Sequence, residues 1–204
     1  GFDNRHFNGP RDVAVTADGI VYVADTDNQR IQKCTSDDGY SYACETFYGI
    51  TAESRQSSDY FVHLNWPNSV DVGPDGKVFI ADTGAQRIMV ISPEGKYLTS
   101  IGQVGGPDEN YPEDTGSAKF TDARGIAVDA DGNVLVTDQW NHRVQKYAPG
   151  VDGWHQANLN NFGWTETTWV LSMADFNGKI YAGTSTDWGA QVWELDPSDW
   201  TTQG

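Results

Sequence analysis

The sequence has little positive charge and no long apolar segment. Of its 204 residues, 13 are Lys or Arg and 29 are Asp or Glu, which gives a formal net charge of −16. Nucleic-acid binding needs a basic surface that neutralises phosphates, and attraction to anionic lipid headgroups needs the same kind of charge. No apolar run approaches the roughly 20 residues of a membrane span. These absences predict that the chain has no nucleic-acid partner and does not insert into a membrane.

The motifs of several enzyme classes are also missing. The chain has no GxSxG motif, no glycine-rich phosphate loop, and no pair of histidines at HxH or HxxxH spacing. Asp-Gly turns offer oxygen ligands for calcium, but none of them matches the EF-hand loop. The sequence therefore predicts no cofactor, with a calcium ion as the alternative, and it does not favour an enzyme.

What the sequence does contain is a block that recurs three times, at residues 11–31, 68–88 and 124–144. The Asp-Gly pairs at Asp18, Asp75 and Asp131 repeat at steps of 57 and 56 residues. A period of this length indicates stacked copies of one structural unit.

Each copy reads as a small antiparallel sheet. Short alternating runs rich in Val and Ile are separated by Asp-Gly and Asn- or Asp-containing turns, which is the pattern of β-hairpins. A fourth strand is predicted near Glu45–Ile50, Tyr97–Ile101 and Gln156–Phe162. Four strands that cannot bury both faces alone are typical of a β-propeller blade. The predicted fold is an all-β propeller of about four blades in a single domain, with blades at about 9–50, 66–102, 122–162 and 169–204.

The repeated block resembles the NHL repeat. The resemblance is carried by Pro10 and the stretch Asn28–Ile31, by Pro67 and Ala85–Ile88, and by Asn141–Val144. The second copy departs from the family pattern because Ala85 replaces the expected Asn. The resemblance implies a propeller, commonly of six blades, and some relatives with propeller folds are enzymes with a metal in the central channel.

A divergent fourth copy follows, in which Thr184 stands at the position of the repeated Asp. A last strand is predicted near Trp200–Gly204. Because four blades are fewer than the family normally closes, three arrangements stay open. The chain belongs to a longer propeller, or four blades close alone, or several copies complete each other.

The two cysteines, Cys34 and Cys44, flank a turn at Asp38-Gly39 and are predicted to lie opposite each other on the third and fourth strands of blade one. A disulfide between them would indicate an oxidising compartment. Two free thiols are the alternative. We therefore expect a secreted or cell-surface protein.

An Asp and an Arg repeat five residues apart in three blades, as the pairs Asp25 and Arg30, Asp82 and Arg87, and Asp138 and Arg143. A carboxylate at the end of a strand can accept N–H bonds across the turn and pair with an Arg of its own or a neighbouring blade. Because these residues recur in each blade, we interpret them as structural.

Aromatic residues that fall outside the repeat pattern are candidates for binding, since Trp and Tyr dominate interaction hot spots. The candidates are Trp140, Trp154, Trp164, Trp188 and Tyr111, the last in one of two inserts, at 51–65 and 103–119. Packing between blades is the alternative for the tryptophans, and a solvated acidic loop for Tyr111.

Together these features predict an extracellular binding or assembly scaffold that recognises a protein or a glycan through rim loops and aromatic side chains. Two alternatives stay open. One is an extracellular metal-dependent hydrolase or lyase with a channel site, and the other is a subunit that associates with copies of itself into a ring or filament.

Overall fold

The computed structural model describes residues 3–49, 63–102, 119–141, 143–150, 153–160, 169–177, 179–186, 189–195 and 201–202. Blade one consists of β1 (Pro10–Val15), β2 (Val21–Asp25), β3 (Arg30–Thr35) and β4 (Ala43–Gly49). Blade two consists of β5 (Pro67–Val72), β6 (Val78–Asp82), β7 (Arg87–Ile91) and β8 (Tyr97–Ile101).

Blade three consists of β9 (Ala123–Val128), β10 (Val134–Asp138), β11 (Arg143–Gly150) and β12 (Gly153–Asn160). Blade four consists of β13 (Trp169–Phe176), β14 (Lys179–Thr186) and β15 (Gly189–Leu195). Neighbouring strands within each blade pair antiparallel and in sequence order. The predicted all-β architecture of antiparallel blades is confirmed.

The short strand β16 (Thr201–Thr202) differs from the predicted last strand of blade four. It pairs with β12 of blade three, through Ala157 with Thr202 and Asn158 with Thr201, and does not lie beside β15. The outer edge of β12 offers unpaired N–H and C=O groups, which can template such pairing.

The hairpins form where the sequence predicts them. The first turn of blade one is closed by hydrogen bonds from Thr16 N–H to the Ile20 carbonyl and from Gly19 N–H to the Thr16 carbonyl. Gly19 has a φ of 84°, which a residue without a Cβ adopts at little cost. A one-turn 3-10 helix links the second and third strands of blades one to three, at Thr26–Asn28, Thr83–Ala85 and Gln139–Asn141.

The blades stack face to face and bury apolar side chains between them. Tyr22, Ala24 and Ile31 of blade one pack in one cluster with Val78, Ile80, Met89 and Ile91 of blade two. Equivalent clusters join blade two to blade three and blade three to blade four. The innermost strands β1, β5, β9 and β13 contact one another in that order, in an array that is not closed. Within the described residues, no helix has the length and apolarity needed to cross a membrane.

Candidate functional site

The repeated Asp and Arg form a buried ion pair within each of the first three blades. Arg Nε lies 2.7 Å from the carboxylate in the pairs Asp25–Arg30 and Asp82–Arg87, and 2.8 Å from it in Asp138–Arg143. All six residues are almost inaccessible to solvent. Each Asp pairs with the Arg of its own blade, which is one of the two arrangements considered from the sequence.

Each pair also holds the segment that enters its blade. The Arg donates to a backbone carbonyl 24 residues earlier, from Arg30 to His6, from Arg87 to His63 and from Arg143 to Lys119. The Asp accepts a backbone N–H 17 residues earlier, from Asn8, Asn65 and Thr121 respectively. The pair therefore links three parts of the chain, namely the entering segment, the end of the second strand and the start of the third strand.

Blade two supplies fewer donors to its carboxylate than blade one does. Asp25 accepts hydrogen bonds from Asn28 Nδ2 at 2.9 Å and from Gln32 Nε2 at 3.1 Å, in addition to Arg30 and a backbone N–H. Burial opposes the ionisation of Asp25, but these donors outweigh it and hold its pKa below the ordinary value.

Ala85 and Met89 occupy the positions of those two amide donors in blade two. In blade two, burial raises the pKa of Asp82 to about 6. The charge of Arg87 and the hydrogen bond from the Asn65 N–H lower this pKa, but burial outweighs them. The departure from the repeat at Ala85 therefore leaves a less well compensated buried carboxylate.

Restoring one amide donor in blade two should stabilise the protein. We expect Ala85→Asn to raise the free energy of unfolding at neutral pH by about 1 kcal/mol, because a new hydrogen bond to a charged acceptor is formed. Urea denaturation measures the change. In an Asp82→Asn background the gain should largely vanish, and an equal gain in both backgrounds would contradict this explanation.

The hairpin between β3 and β4 is covalently closed and carries exposed aromatic side chains. Cys34 and Cys44, which are register partners, form a disulfide. At the tip, the N–H groups of Ser41 and Tyr40 and the Ser36 hydroxyl lower the pKa of Asp38 to about 2. Tyr40 is 93% exposed on this fixed turn.

A second group of exposed aromatic residues lies on one rim of the array. This rim is formed by the starts of the inner strands and by the turns between the second and third strands. We call it the strand-entry rim. Trp66, directly before β5, is 49% exposed and has a φ of 53°. The Arg11 guanidinium lies over its ring, 5.9 Å from the centroid. Trp140 is 51% exposed, and its backbone N–H donates to the Thr121 carbonyl on the same rim.

The left-handed backbone of Trp66 is unusual for a bulky residue. Gly9 of blade one and Asp122 of blade three precede the equivalent strands and also have positive φ values, of 54° and 68°. The position therefore requires this conformation in each of the three blades, and blade two meets the requirement with a tryptophan at a cost of about 1 kcal/mol or more.

The innermost strands also surround a half-open cavity of about 510 Å³. Val13, Val70 and Met173 are among the apolar residues that line it. The cavity is also lined by carboxylates from several blades, namely Asp12, Asp71, Asp129 and Asp175.

Asp71 is the most perturbed of these carboxylates. Burial raises its pKa to about 6, and the negative charges of Asp12 and Asp175 add to the effect. Its oxygens accept the N–H groups of Val72 at 2.8 Å and Val128 at 2.7 Å, so it also bridges the inner strands of blades two and three. In the parts of the chain that the structure describes, no three His, Cys, Asp or Glu side chains are placed to hold a metal ion.

Most of the aromatic candidates from the sequence fall in parts that are not described. The two that the structure places are Trp140, on the strand-entry rim, and Trp154, in β12. The candidates outside the described residues are Tyr111, Trp164 and Trp188, together with nearly all of both inserts.

Sequence reasoning missed Trp66 and Asp71, although aligned repeats carry a signal for each. Trp66 stands where blade one has Gly9, and Asp71 stands where blades one and three have Ala14 and Ala127. A bulky residue in place of Gly, and a charge in place of Ala, mark positions that packing of the repeat does not explain.

Comparison with known proteins supports the same architecture. A family model of the NHL repeat matches residues 7–34 and 120–147. Those ranges contain the ion pairs Asp25–Arg30 and Asp138–Arg143. The resemblance to the NHL repeat is thereby confirmed.

Two teneurins are among the similar sequences. Teneurin-3 of Mus musculus is 31% identical over 101 residues, which is 44% of this chain and 4% of that protein. Teneurin-m of Drosophila melanogaster is 26% identical over 167 residues, which is 73% of this chain and 6% of that protein. The chain thus spans a small fraction of the length of either relative.

Solved structures with a similar backbone include two enzymes. A streptogramin B lyase has a TM-score of 0.56 at 14% identity, covering 94% of this chain and 56% of the lyase. A gluconolactonase from Xanthomonas campestris has a TM-score of 0.54 at 13% identity, covering 93% of this chain and 74% of the gluconolactonase. At these identities the likeness establishes the β-propeller fold alone.

Proposed function

Because the chain is an NHL-repeat protein with a β-propeller fold, we propose that it acts as an extracellular scaffold that binds another protein through the strand-entry rim. The observation that carries the proposal is Trp66, which is held half exposed in a left-handed conformation beneath Arg11. Strained backbone persists where the surrounding structure over-determines it, and such positions cluster at functional sites.

The chemistry of this rim suits a protein partner. Trp and Arg are enriched at the centres of protein interfaces, where a few such side chains supply most of the binding energy. Trp66 and Trp140 each expose about half of their surface. A large planar side chain fixed by its neighbours loses little conformational entropy when it is covered, which favours binding.

The repeated ion pairs serve as the framework in this proposal. Each pair fixes the end of the second strand and the entering segment of its blade, and these are the elements that form the strand-entry rim. Binding residues on rigid elements are positioned more precisely than residues on loops that lack such bonds. The rim aromatics therefore project from a preorganised surface.

The disulfide supports the proposed compartment, and the charge bears on the class of partner. The Cys34–Cys44 bond persists in oxidising surroundings such as the cell exterior. A net charge of −16 gives no reason to expect a nucleic-acid partner. The disulfide thus supports an extracellular protein, either secreted or displayed at a cell surface.

The channel-enzyme alternative has one observation in its favour. Asp71 lies in the cavity with a raised pKa, and such carboxylates are frequent in active sites. However, the described residues bring no metal-ligand cluster to that cavity. The protein-binding function rests on a positive observation, the half-exposed Trp66 beneath the Arg11 guanidinium.

The binding proposal can be tested by site-specific photo-crosslinking on intact cells. A photoreactive residue in place of Asn68, on the strand-entry rim, should capture a discrete surface protein, whereas the same residue in place of Lys96 should not. Trp66→Gly removes the ring while keeping a residue that accepts the left-handed backbone, as Gly9 does in blade one.

We expect Trp66→Gly and Arg11→Ala to reduce the crosslinked product by about tenfold or more. Leu98→Ala, at an exposed position on β8, serves as the matched control and should leave the yield unchanged. Equal capture from position 96, or capture that Trp66→Gly does not reduce, would refute binding through this rim.

A further inference from the structure

One position of the strand-entry rim holds an arginine in two of the first three blades. The position follows the first residue of the inner strand, which lies opposite the repeated Asp in each of these blades. It is occupied by Arg11, Asn68 and Arg124. In blade one the register shifts between Pro10 and Asp12, so Arg11 has no residue opposite it on β2. Bulges of this kind re-aim a side chain and are frequent beside active sites.

In blade three, the arginine at this position binds a carboxylate of its own blade. Arg124 Nε donates to Asp122 Oδ2 at 2.8 Å, and the two side chains are 36% and 16% exposed. Asp122 directly precedes β9 and has the left-handed backbone of this part of the repeat, with a φ of 68°. Blade three therefore shows which chemical group an arginine on this rim takes as its partner.

Blade one has the arginine without the carboxylate. Gly9 stands where blade three has Asp122. Among the residues that the structure describes, no carboxylate lies within ion-pair distance of Arg11, which is exposed and lies over the Trp66 ring. A guanidinium on an aromatic face keeps the N–H donors at its edge available, and their fork matches the two oxygens of a carboxylate.

We infer that the bound partner supplies this carboxylate, so that an Asp or Glu side chain of the partner protein pairs with the Arg11 guanidinium over Trp66. The inference rests on the binding function proposed above and adds the chemistry of its central contact. Because Arg11 is directed at a ring of blade two, the contact lies between blades one and two and does not involve the opposite face of blade one.

The charge of the chain makes such a contact selective. The sequence has 29 Asp or Glu against 13 Lys or Arg, so most of its surface repels a carboxylate. Complementary charge at one place fixes the orientation of a complex and excludes wrong partners. Trp66 covers one side of the guanidinium, and an ion pair in such a partly desolvated place is stronger than the same pair in water.

Supplying the carboxylate from the chain itself tests the inference. Gly9→Asp places a carboxylate where blade three has Asp122, whose φ of 68° shows that an aspartate adopts this backbone. A Cβ at Gly9 would lie 2.5 Å from Asp27 Oδ2, so Asp27→Ala accompanies the change. The double variant should pair Arg11 within its own blade and lower the product crosslinked from position 68 by about tenfold.

The matched control is Gly9→Asn combined with Asp27→Ala. It has the same shape without the negative charge, and asparagine also tolerates a left-handed backbone. This control should retain most of the crosslinked product. Equal losses in the Asp and Asn variants would overturn the inference, because the effect would then come from the shape of the rim and not from its charge.

Substitutions of Arg11 itself leave the backbone of the rim unaltered, and they decide the question if circular dichroism shows that the Gly9→Asp variant is misfolded. Arg11→Gln removes the charge and should lower capture by about tenfold. Arg11→Lys keeps the charge without the fork and should lower it by a smaller factor.

The outcomes separate this contact from rim binding as a whole. Capture that Trp66→Gly reduces and Arg11→Gln does not would overturn the carboxylate contact and leave rim binding standing. Absence of capture from position 68 would overturn both. Capture that disappears after heparinase treatment of the cells would also overturn the inference, because the anion would then belong to a sulfated polysaccharide.

Discussion

Replacing Arg30 with methionine should lower the free energy of unfolding by about 3 to 5 kcal/mol, because the change leaves the Asp25 carboxylate buried without its ionic partner. Asp25 is 0% exposed and Arg30 is 1% exposed. Methionine retains much of the volume of the side chain, so the loss reports the charge and the hydrogen bonds more than a cavity.

The effect of Arg30→Met extends beyond the ion pair. Arg30 also donates to the Asp3 carbonyl at 2.9 Å and to the His6 carbonyl at 3.2 Å, which holds the entering segment against blade one. We expect the segment before β1 to lose protection in hydrogen exchange. Urea denaturation followed by tryptophan fluorescence measures the loss of stability.

A surface ion pair in blade two provides the control. Lys77 lies 2.5 Å from Asp75, with side chains 42% and 53% exposed. Exposed pairs of this kind contribute about 0 to 1 kcal/mol, so Lys77→Met should change little. Similar losses for Arg30→Met and Lys77→Met would show that the buried pair is not a principal support of the fold.

The second large effect concerns the cavity carboxylate Asp71 and the dependence of stability on pH. In the folded chain its pKa is raised to about 6 from the ordinary 3.8, so the folded state binds more protons than the unfolded state between these values. Stability from this group is therefore highest below about pH 4 and declines as the pH rises through 6.

Asp71→Asn should remove that decline. The amide oxygen can still accept the Val128 N–H, and no charge is buried beside Asp12 and Asp175. Relative to the unaltered chain, the variant should gain at most about 3 kcal/mol between pH 4 and pH 7.

Thermal or urea unfolding at a series of pH values measures this difference. Asp131→Asn, at an exposed turn position, is the matched control and should leave the pH profile unchanged. A variant profile parallel to that of the unaltered chain across this range would show that Asp71 is not responsible for the decline.

The repeat made the blades and the ion pairs predictable. Alternating Val and Ile with Asp-Gly turns indicated the first three strands of each blade, because a strand that packs on both sides needs such residues in each copy. The spacing of five residues between Asp25 and Arg30 likewise placed them on adjacent strands. Register partners of this kind are set by local geometry, which the sequence determines closely.

The candidate site was less accessible to sequence reasoning for a physical reason. The positive φ at Trp66 is a property of the folded backbone, and the contact of its ring with Arg11 joins residues of two blades. The raised pKa of Asp71 depends on burial and on charges from Asp12 and Asp175, which lie in different blades. Neither property is encoded by neighbouring residues in the sequence.

The anchoring of each entering segment has a consequence for how such chains diversify. The chain is held at or just after the ends of the two inserts. Asn65 and Thr121 donate to the carboxylates of blades two and three, and the His63 and Lys119 carbonyls accept from the arginines. The entropy of closing a loop grows only slowly with its length. Each blade holds its own entering segment through the Asp–Arg pair. The segments between blades can therefore change length and composition without displacing the strands of the blade that follows.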